Sequence, residues 1–512
     1  MKNSLLLALS LALTVQISQA QTPAAKPAIP PATPQFRPAY HFSPAKMWMN
    51  DPNGMVYYKG TYHLFFQHYP DGMEWGPMHW GHATSPDLVH WQEQPIALFP
   101  DKLGWIFSGS AVVDENNTSG FGKNGQVPMV AIFTHHNAEE EKKKTNKHQY
   151  QSLAYSLDEG KTWTKYEGNP VLNNPGIPDF RDPKVSWHAP SKKWIMTLAT
   201  KDRITFFSSP NLKEWTKESE FGEKLGAHGG VWECPDLFPL TLNGKTHWVL
   251  LVSINPGGPN SGSATQYFIG QFDGKIFTPA DTQTKWVDYG KDNYAGVTYA
   301  NTGTRRIFQG WMSNWEYANQ VPTSPWRNAM TVPREFALRQ VGTDMWLTSQ
   351  PVKEVSQALQ SGSVKLQKLT VLKELDLSNK LPNLGDKFQL KLSTKLLKEF
   401  SLVFSNSRGE ELVIGYDQKA NAYFVDRSKS GMVAFSDKFP GRHAGPRRAV
   451  TPTADLMLLF DASSVELFAD NGLTVLTELY FPHDPLTKLK VKSNTGMLIQ
   501  ELNYARLAPD VK

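Results

Sequence analysis

Met47-Trp48-Met49-Asn50-Asp51-Pro52-Asn53-Gly54 places a carboxylate between turn-forming residues and close to a tryptophan. The apolar run Met55 to Tyr58, a turn at Gly60 and the run Tyr62 to Phe66 follow, which predicts a β-hairpin whose first strand begins just after Asp51. Alone, the stretch reads equally as an Asx-turn, in which Asp51 caps its own backbone, or as a reactive carboxylate at a strand mouth. Repetition along the chain separates the two.

Five units of similar size emerge, each opening on a polar or acidic residue and continuing as a hairpin. They start at Asp51, at Ser108-Gly109-Ser110, at Asp182-Pro183, at Glu233-Cys234-Pro235 and at Tyr294-Ala295-Gly296. Three units carry a second echo, a polar turn leading to a tryptophan: Ser85 to Trp91, Ser156 to Trp163 and Ser209 to Trp215. Units of about four strands arranged radially make a propeller, so the expected fold is all-β, with a five-bladed propeller over residues 39–350. The first strand of each blade lines the channel, and the residues opening the units are expected to converge at one end of it. Three of them are carboxylates, Asp51, Asp182 and Glu233. Like charges brought together cost energy, so such a site must use them or neutralise one by protonation.

A chain of 512 residues has room for two or three domains and a large core. Residues 1–20 combine Lys2, an apolar run from Leu5 to Val15 too short to cross a bilayer, and Ser18-Gln19-Ala20, which predicts a cleaved export signal and a periplasmic or extracellular address. Residues 21–38 are proline-rich and read as an extended tether. Cys234 is the one cysteine, so packing rather than disulfides must supply stability. A net charge of +5 without a basic block excludes nucleic acid as an expected partner, and no later run qualifies as a membrane span. Glu139 to Lys144, EEEKKK, reads as a solvated loop. Residues 351–363 form a linker with a possible short helix over Val352 to Leu359. Alternating strands fill 364–512, with a strong hairpin signal at Asp470-Asn471-Gly472; a β-sandwich is expected there, without catalytic groups.

No cofactor or metal is expected. Gly120 to Gly125 matches GxGxxG but precedes a strand instead of opening a helix. His135 and His136 are adjacent on a strand, point to opposite faces and lack companion ligands, and so read as solvent-facing or loop histidines.

Two carboxyl groups facing one glycosidic bond are enough to hydrolyse it, one ionised and attacking the anomeric carbon, the other giving a proton to the leaving oxygen. Glu233, flanked by Trp232 and Cys234, is expected to be the less hydrated acid, and Asp51, among turn amides, the ionised nucleophile. Asp182 beside Arg181 is expected to stay charged and to offset positive charge in the transition state.

Trp48 to Gly54, Arg181-Asp182-Pro183 and Glu233-Cys234-Pro235 resemble, in order and spacing, the three signature motifs of glycoside hydrolase family 32, which contains invertases, inulinases and levanases. The resemblance implies a five-bladed propeller followed by a β-sandwich, and a retaining mechanism on β-fructosides. It makes Asp51 the nucleophile, Glu233 the acid/base and Asp182 the transition-state stabiliser. It places Asn50, Gln67, Trp75, Phe107, Ser108 and Arg181 around a terminal fructose. Gly310 to Tyr317 and Pro322 to Arg327 look like the exo-acting microbial fructanases, with Trp315 either a pocket wall or a core residue. The expected substrate is a fructan, levan or inulin, and also sucrose. Rival readings are a sucrose-narrow invertase, a fructosyltransferase, an inverting hydrolase acting on arabinans, and a non-catalytic sugar-binding protein.

Overall fold

Asp51 lies inside a strand rather than ahead of one: the strand spans Met47–Tyr58 and pairs with Thr61–Tyr69. In this computed structural model, which describes residues 29–381, 384–385 and 387–507, five antiparallel sheets stand around one axis. Their innermost strands are Met47–Tyr58, Trp105–Val113, Phe180–His188, Val231–Leu242 and Tyr294–Thr298. Each of these packs beside the next and the fifth returns to the first, which closes a five-bladed propeller. Closure has a backbone component too, since Trp326–Arg327 pairs in parallel with Met47 and Trp48. The expected signal at 1–20 and residues 21–28 of the expected tether lie outside the described residues.

Every inner strand breaks register at the same depth. Asn50 and Asp51 together face Gln67; Phe107 and Ser108 face Thr134; Asp182 and Pro183 face Leu198; Cys234 and Pro235 face Val252; Ala295 and Gly296 face Gly310. Two residues opposite one is a β-bulge, which bends the strand and re-aims its side chains. Proline belongs in or next to such a bulge because no ladder hydrogen bond is asked of it there. The Asp-Pro and Cys-Pro pairs of the sequence motifs are therefore bulge formers, and Asp182 and Cys234 take positive φ values of 65° and 44° within them.

The three tryptophan echoes fold as one repeated turn between the third and fourth strands of blades 1 to 3. Asp87, Asp158 and Asn211 each accept backbone N–H groups, and Trp91, Trp163 and Trp215 donate their indole N–H to the carbonyls of Leu88, Gly160 and Leu212. Asx capping followed by a tryptophan clamp locks each blade's outer edge.

After the helix Lys353–Leu359, two six-stranded sheets pack face to face as a β-sandwich around a shared apolar core. Asp470-Asn471-Gly472 turns the predicted hairpin, all three at positive φ. The tether reading needs correction for the part described: Thr33 and Ser324 exchange hydrogen bonds, the Arg37 guanidinium lies 3.5 Å over Trp326, and Phe36 is buried against Phe481. A hydroxyl, a guanidinium and an aromatic ring together dock this end of the proline tract. The EEEKKK loop reading also changes, since Ala138–Lys142 is a short helix whose N-terminus Asn137 caps.

Propeller and sandwich join through a buried ionic network. Arg334 bridges Asp288 at 2.8 Å and Glu466, while His41 reaches Asp461 and Glu466, each at 2.8 Å. Burial alone pushes the His41 imidazolium down, but the hydrogen bonds and charges of Asp461 and Glu466 outweigh it and lift its pKa to about 9. A histidine raised in the folded state stabilises fully below its ordinary pKa near 6.5 and loses that contribution as pH climbs through 9. Urea midpoints measured from pH 6.5 to 9.5 are expected to fall by the equivalent of about 3 kcal/mol, and His41→Asn should flatten that decline.

Candidate active site

The bulges gather the predicted residues at one end of the channel. Asn50, Asp51, Gln67, Trp75, Phe107, Ser108, Arg181, Asp182, Glu233 and Trp315 all line one pit of about 300 Å³. That volume is at the small end for ligand pockets. Beneath it the channel narrows to a void of about 10 Å³, so the pit is closed at its base.

Asp51 is held by a short relay. The Trp48 indole donates to Asn50 Oδ1 at 2.7 Å, which turns the Asn50 amide so that its Nδ2 donates to Asp51 Oδ1 at 3.0 Å. Ser108 Oγ donates to Asp51 Oδ2 at 2.6 Å. The buried Cys234 sits underneath, its Sγ 3.4 Å from Asp51 Oδ2 and 3.6 Å from Asp182 Oδ2, while its backbone N–H donates to Asp182 at 3.0 Å. One thiol thus touches two of the carboxylates. Arg181 ties in the third: its Nη2 lies 2.9 Å from Glu233 Oε1, and its Nε lies 3.9 Å from Asp182 Oδ2. The three carboxylates are one cluster.

Burial, with the nearby Glu233 charge adding to it, pushes the Asp51 carboxyl up against the hydrogen bonds of Ser108, Asn50 and Cys234 that favour its ionised form. Burial likewise lifts Asp182 to about 7, with Glu233 and Asp51 adding and Arg181 opposing. Arg181 favours the charged form of Asp182, as expected, but burial opposes it more strongly. The guanidinium spends its close contacts on Glu233 and on Asp179, at 2.5 Å, and reaches Asp182 only at long range. Three carboxyl groups meet in one buried pit, and burial together with the neighbouring charges disfavours the charged forms of Asp51 and Asp182.

The expected desolvation of Glu233 by its neighbours also fails. Along a strand successive side chains point to opposite faces. Trp232 is wholly buried in the blade core and donates to Ala227, and Cys234 is buried below the pit, whereas the Glu233 side chain keeps 19% of its exposure at the pit wall. Its second oxygen accepts a short hydrogen bond from the Tyr294 hydroxyl. Tyr294 opens the fifth repeat but was not among the predicted site residues; only its place at a blade opening marked it. Without that anchor the carboxyl loses a fixed orientation, and Tyr294→Phe is expected to lower kcat on sucrose about tenfold at nearly constant KM in steady-state kinetics.

Aromatic rings build the walls. Trp315 stacks on Trp48 at 5.9 Å and 27°, so it is a pit wall backed by the core. Phe107 stacks on His136 at 4.3 Å and 8°, and the 41% exposed Trp75 stands at the rim beside Phe107. Neither His135 nor His136 faces solvent: both are buried, and His136 lines the pit. Burial pushes His136 down to about 4. Glu141, His148, Gln149, Asp179 and Asn255 complete the lining. They come from the short helix, from second and third strands and from loops, where no repeat marks them. Among the described residues lining the pit, Arg181 is the one permanent cation, so the pit favours positive charge developing on a bound ring.

Residues 41–351 match the model for the glycosyl hydrolases family 32 N-terminal domain, and residues 354–506 match that for the family's C-terminal domain. The chain is 46% identical to a levanase of Bacillus subtilis, over 91% of this chain and 70% of the relative. It is 42% identical to an extracellular exo-inulinase of Aspergillus niger, over 90% of this chain and 92% of the relative. The crystal structure of the exo-inulinase of Aspergillus awamori superposes with a TM-score of 0.84 at 37% identity, covering 93% of this chain and 98% of that one. The chain belongs to glycosyl hydrolases family 32.

Proposed function

We propose that the protein is an exported, retaining β-fructosidase that removes terminal fructosyl units from levan or inulin and also from sucrose. The observation that carries the reading is the meeting of three carboxylates in one closed-ended, electronegative pit. A pit closed at its base favours a chain end over a chain interior. The relatives named levanase and exo-inulinase support the fructan class, and sucrose presents a terminal fructosyl group of the same kind. Export rests on the signal pattern of residues 1–20 and on the relative described as extracellular.

In the proposed cycle Asp51 attacks the anomeric carbon of the fructosyl unit. Glu233 passes a proton to the glycosidic oxygen, and the carbon–oxygen bond breaks to give a fructosyl ester on Asp51. Glu233, now ionised and oriented by Arg181 and Tyr294, takes a proton from water as that water attacks the same carbon, and the ester bond breaks to release fructose and return Asp51 as a carboxylate. Asp182 faces the ring and counters its oxocarbenium character, holding sugar hydroxyls as it does so. Asn50, Gln67, Trp75, Phe107, Ser108, Arg181 and Trp315 bind and orient the sugar.

The test is the product profile from levan, inulin and sucrose resolved by chromatography over time. Fructose as the sole early product from a polymer supports the reading. Oligosaccharides as first products would contradict exo action, and no release from any of the three would leave a sugar-binding protein.

A further inference from the structure

A cavity larger than the catalytic pit stands apart from it in the propeller. It lies at the opposite end of the channel, holds about 450 Å³ and draws on the far ends of the same inner strands. Trp187 stands five residues beyond Asp182, roughly 17 Å along the strand. The intervening void, about 10 Å³, has room for no more than a water molecule, so the two cavities are separate sites.

We infer that this distal cavity is a second, non-catalytic carbohydrate site that grips fructosyl units of polymeric substrate. The inference rests on the fructosidase reading for the identity of the sugar. Trp187 is 39% exposed at the rim, among the few large apolar side chains the surface leaves open. Its ring is braced edge-on by Trp194 at 5.1 Å and 67°, and the Trp194 indole is itself fixed by Thr118 Oγ1 at 2.8 Å. A flat, braced ring at a cavity mouth is a stacking platform for the C–H face of a sugar.

Deeper in, Arg306 lines the cavity and gives its Nη1 to the carbonyls of Gly303 and Arg305, both at 3.2 Å. A guanidinium has five N–H donors, more than those two carbonyls take up, and a sugar hydroxyl can accept from one that faces the cavity. The charges argue against an anion such as phosphate. Lys184 and Arg306 line the cavity, but so do the carboxylates of Asp114, Glu115 and Asp236. Asp236 takes the Thr298 N–H at 2.6 Å and Lys184 Nζ at 3.3 Å, so the lysine is already neutralised. A neutral ligand rich in hydroxyls fits that balance of a tryptophan wall and paired charges.

An enzyme that trims chain ends must find a new end after each release. A grip on the opposite face of the molecule holds it on the polymer between encounters and raises the local concentration of ends. Sucrose, which offers one linkage per molecule, gains nothing from such a grip.

Affinity electrophoresis of the full chain through gels containing levan or inulin tests this, with Glu233→Gln as the background so that the polymer is not consumed. Adding Trp187→Ala and Arg306→Gln together is expected to weaken retention about tenfold. Trp187→Tyr, which keeps a ring, should retain most of the binding. In otherwise wild-type protein, the same pair should leave kcat/KM on sucrose unchanged and lower the rate on dilute polymer severalfold. Undiminished retention in the double variant would overturn the proposal, as would a parallel loss on sucrose, which would make the two residues structural. Failure of wild-type protein to turn over either substrate would instead overturn the fructosidase reading, because retention is read without turnover.

Discussion

Asp51→Asn is expected to lower kcat on both sucrose and inulin by about 10⁴-fold or more, while the melting temperature holds or rises. The first half follows from the proposed role: an amide of the same shape does not form the fructosyl ester, and neither Asp182 nor Glu233 replaces it, because each is committed to its own contacts. The second half follows from the electrostatics. Burial raises the Asp51 pKa above its ordinary value of 3.8, so the folded state holds a proton that the unfolded chain releases. Stability then falls as pH rises through that interval, and the buried carboxylate burdens the fold once it is ionised. Asparagine removes the burden and keeps the contacts to Ser108 and Asn50 in modified form. Such a trade of stability against activity is ordinary for reactive groups. A combined kinetic and calorimetric comparison decides it, and a destabilised Asp51→Asn with appreciable turnover would mean that Asp51 is a structural cap.

Glu233→Gln is expected to cost about 10²- to 10⁴-fold on sucrose, with an effect that depends on the leaving group. Glutamine keeps acceptor and donor atoms near Arg181 and Tyr294 but has no proton to give. An aryl fructoside whose phenolate leaves unaided needs no acid for the first step, so its fructosylation should be nearly as fast in the variant as in the wild type. The second step still needs a base to activate water, so a burst of phenolate followed by slow turnover is expected in stopped-flow absorbance. Equal losses on sucrose and on the aryl substrate, with no burst, would place the acid elsewhere.

Much of the fold was legible because strand openings in a propeller carry a recurrent local demand. Each inner strand must bulge at the depth of the site, and Asp51-Pro52, Asp182-Pro183 and Cys234-Pro235 advertise that bulge in the sequence. The three tryptophan turns were legible for a similar reason, since an Asx cap and an indole clamp need fixed spacing. All ten residues proposed for the site lie in one pit: strand register carries eight of them there together, and the loops that hold Trp75 and Trp315 add the other two. What escaped notice depends on tertiary contact. Phe36 docks a proline tract that composition alone reads as extended, and Glu141 leaves an apparently solvated charge run to reach His136 at 3.2 Å. The surroundings of the carboxylates depend on tertiary contact for a different reason. Sequence neighbours do not reveal the hydration of Glu233 or the partners of Arg181, because a strand sends those neighbours to the other face and Arg181 is engaged across blades.

The most direct measurement is mass spectrometry of the enzyme quenched during turnover of an activated fructoside in the Glu233→Gln background, where the second step is slow. The account predicts protein carrying one added fructosyl unit, located after proteolysis on the peptide that contains Asp51. No adduct, together with an inverted anomer as the first product seen by NMR, would contradict it.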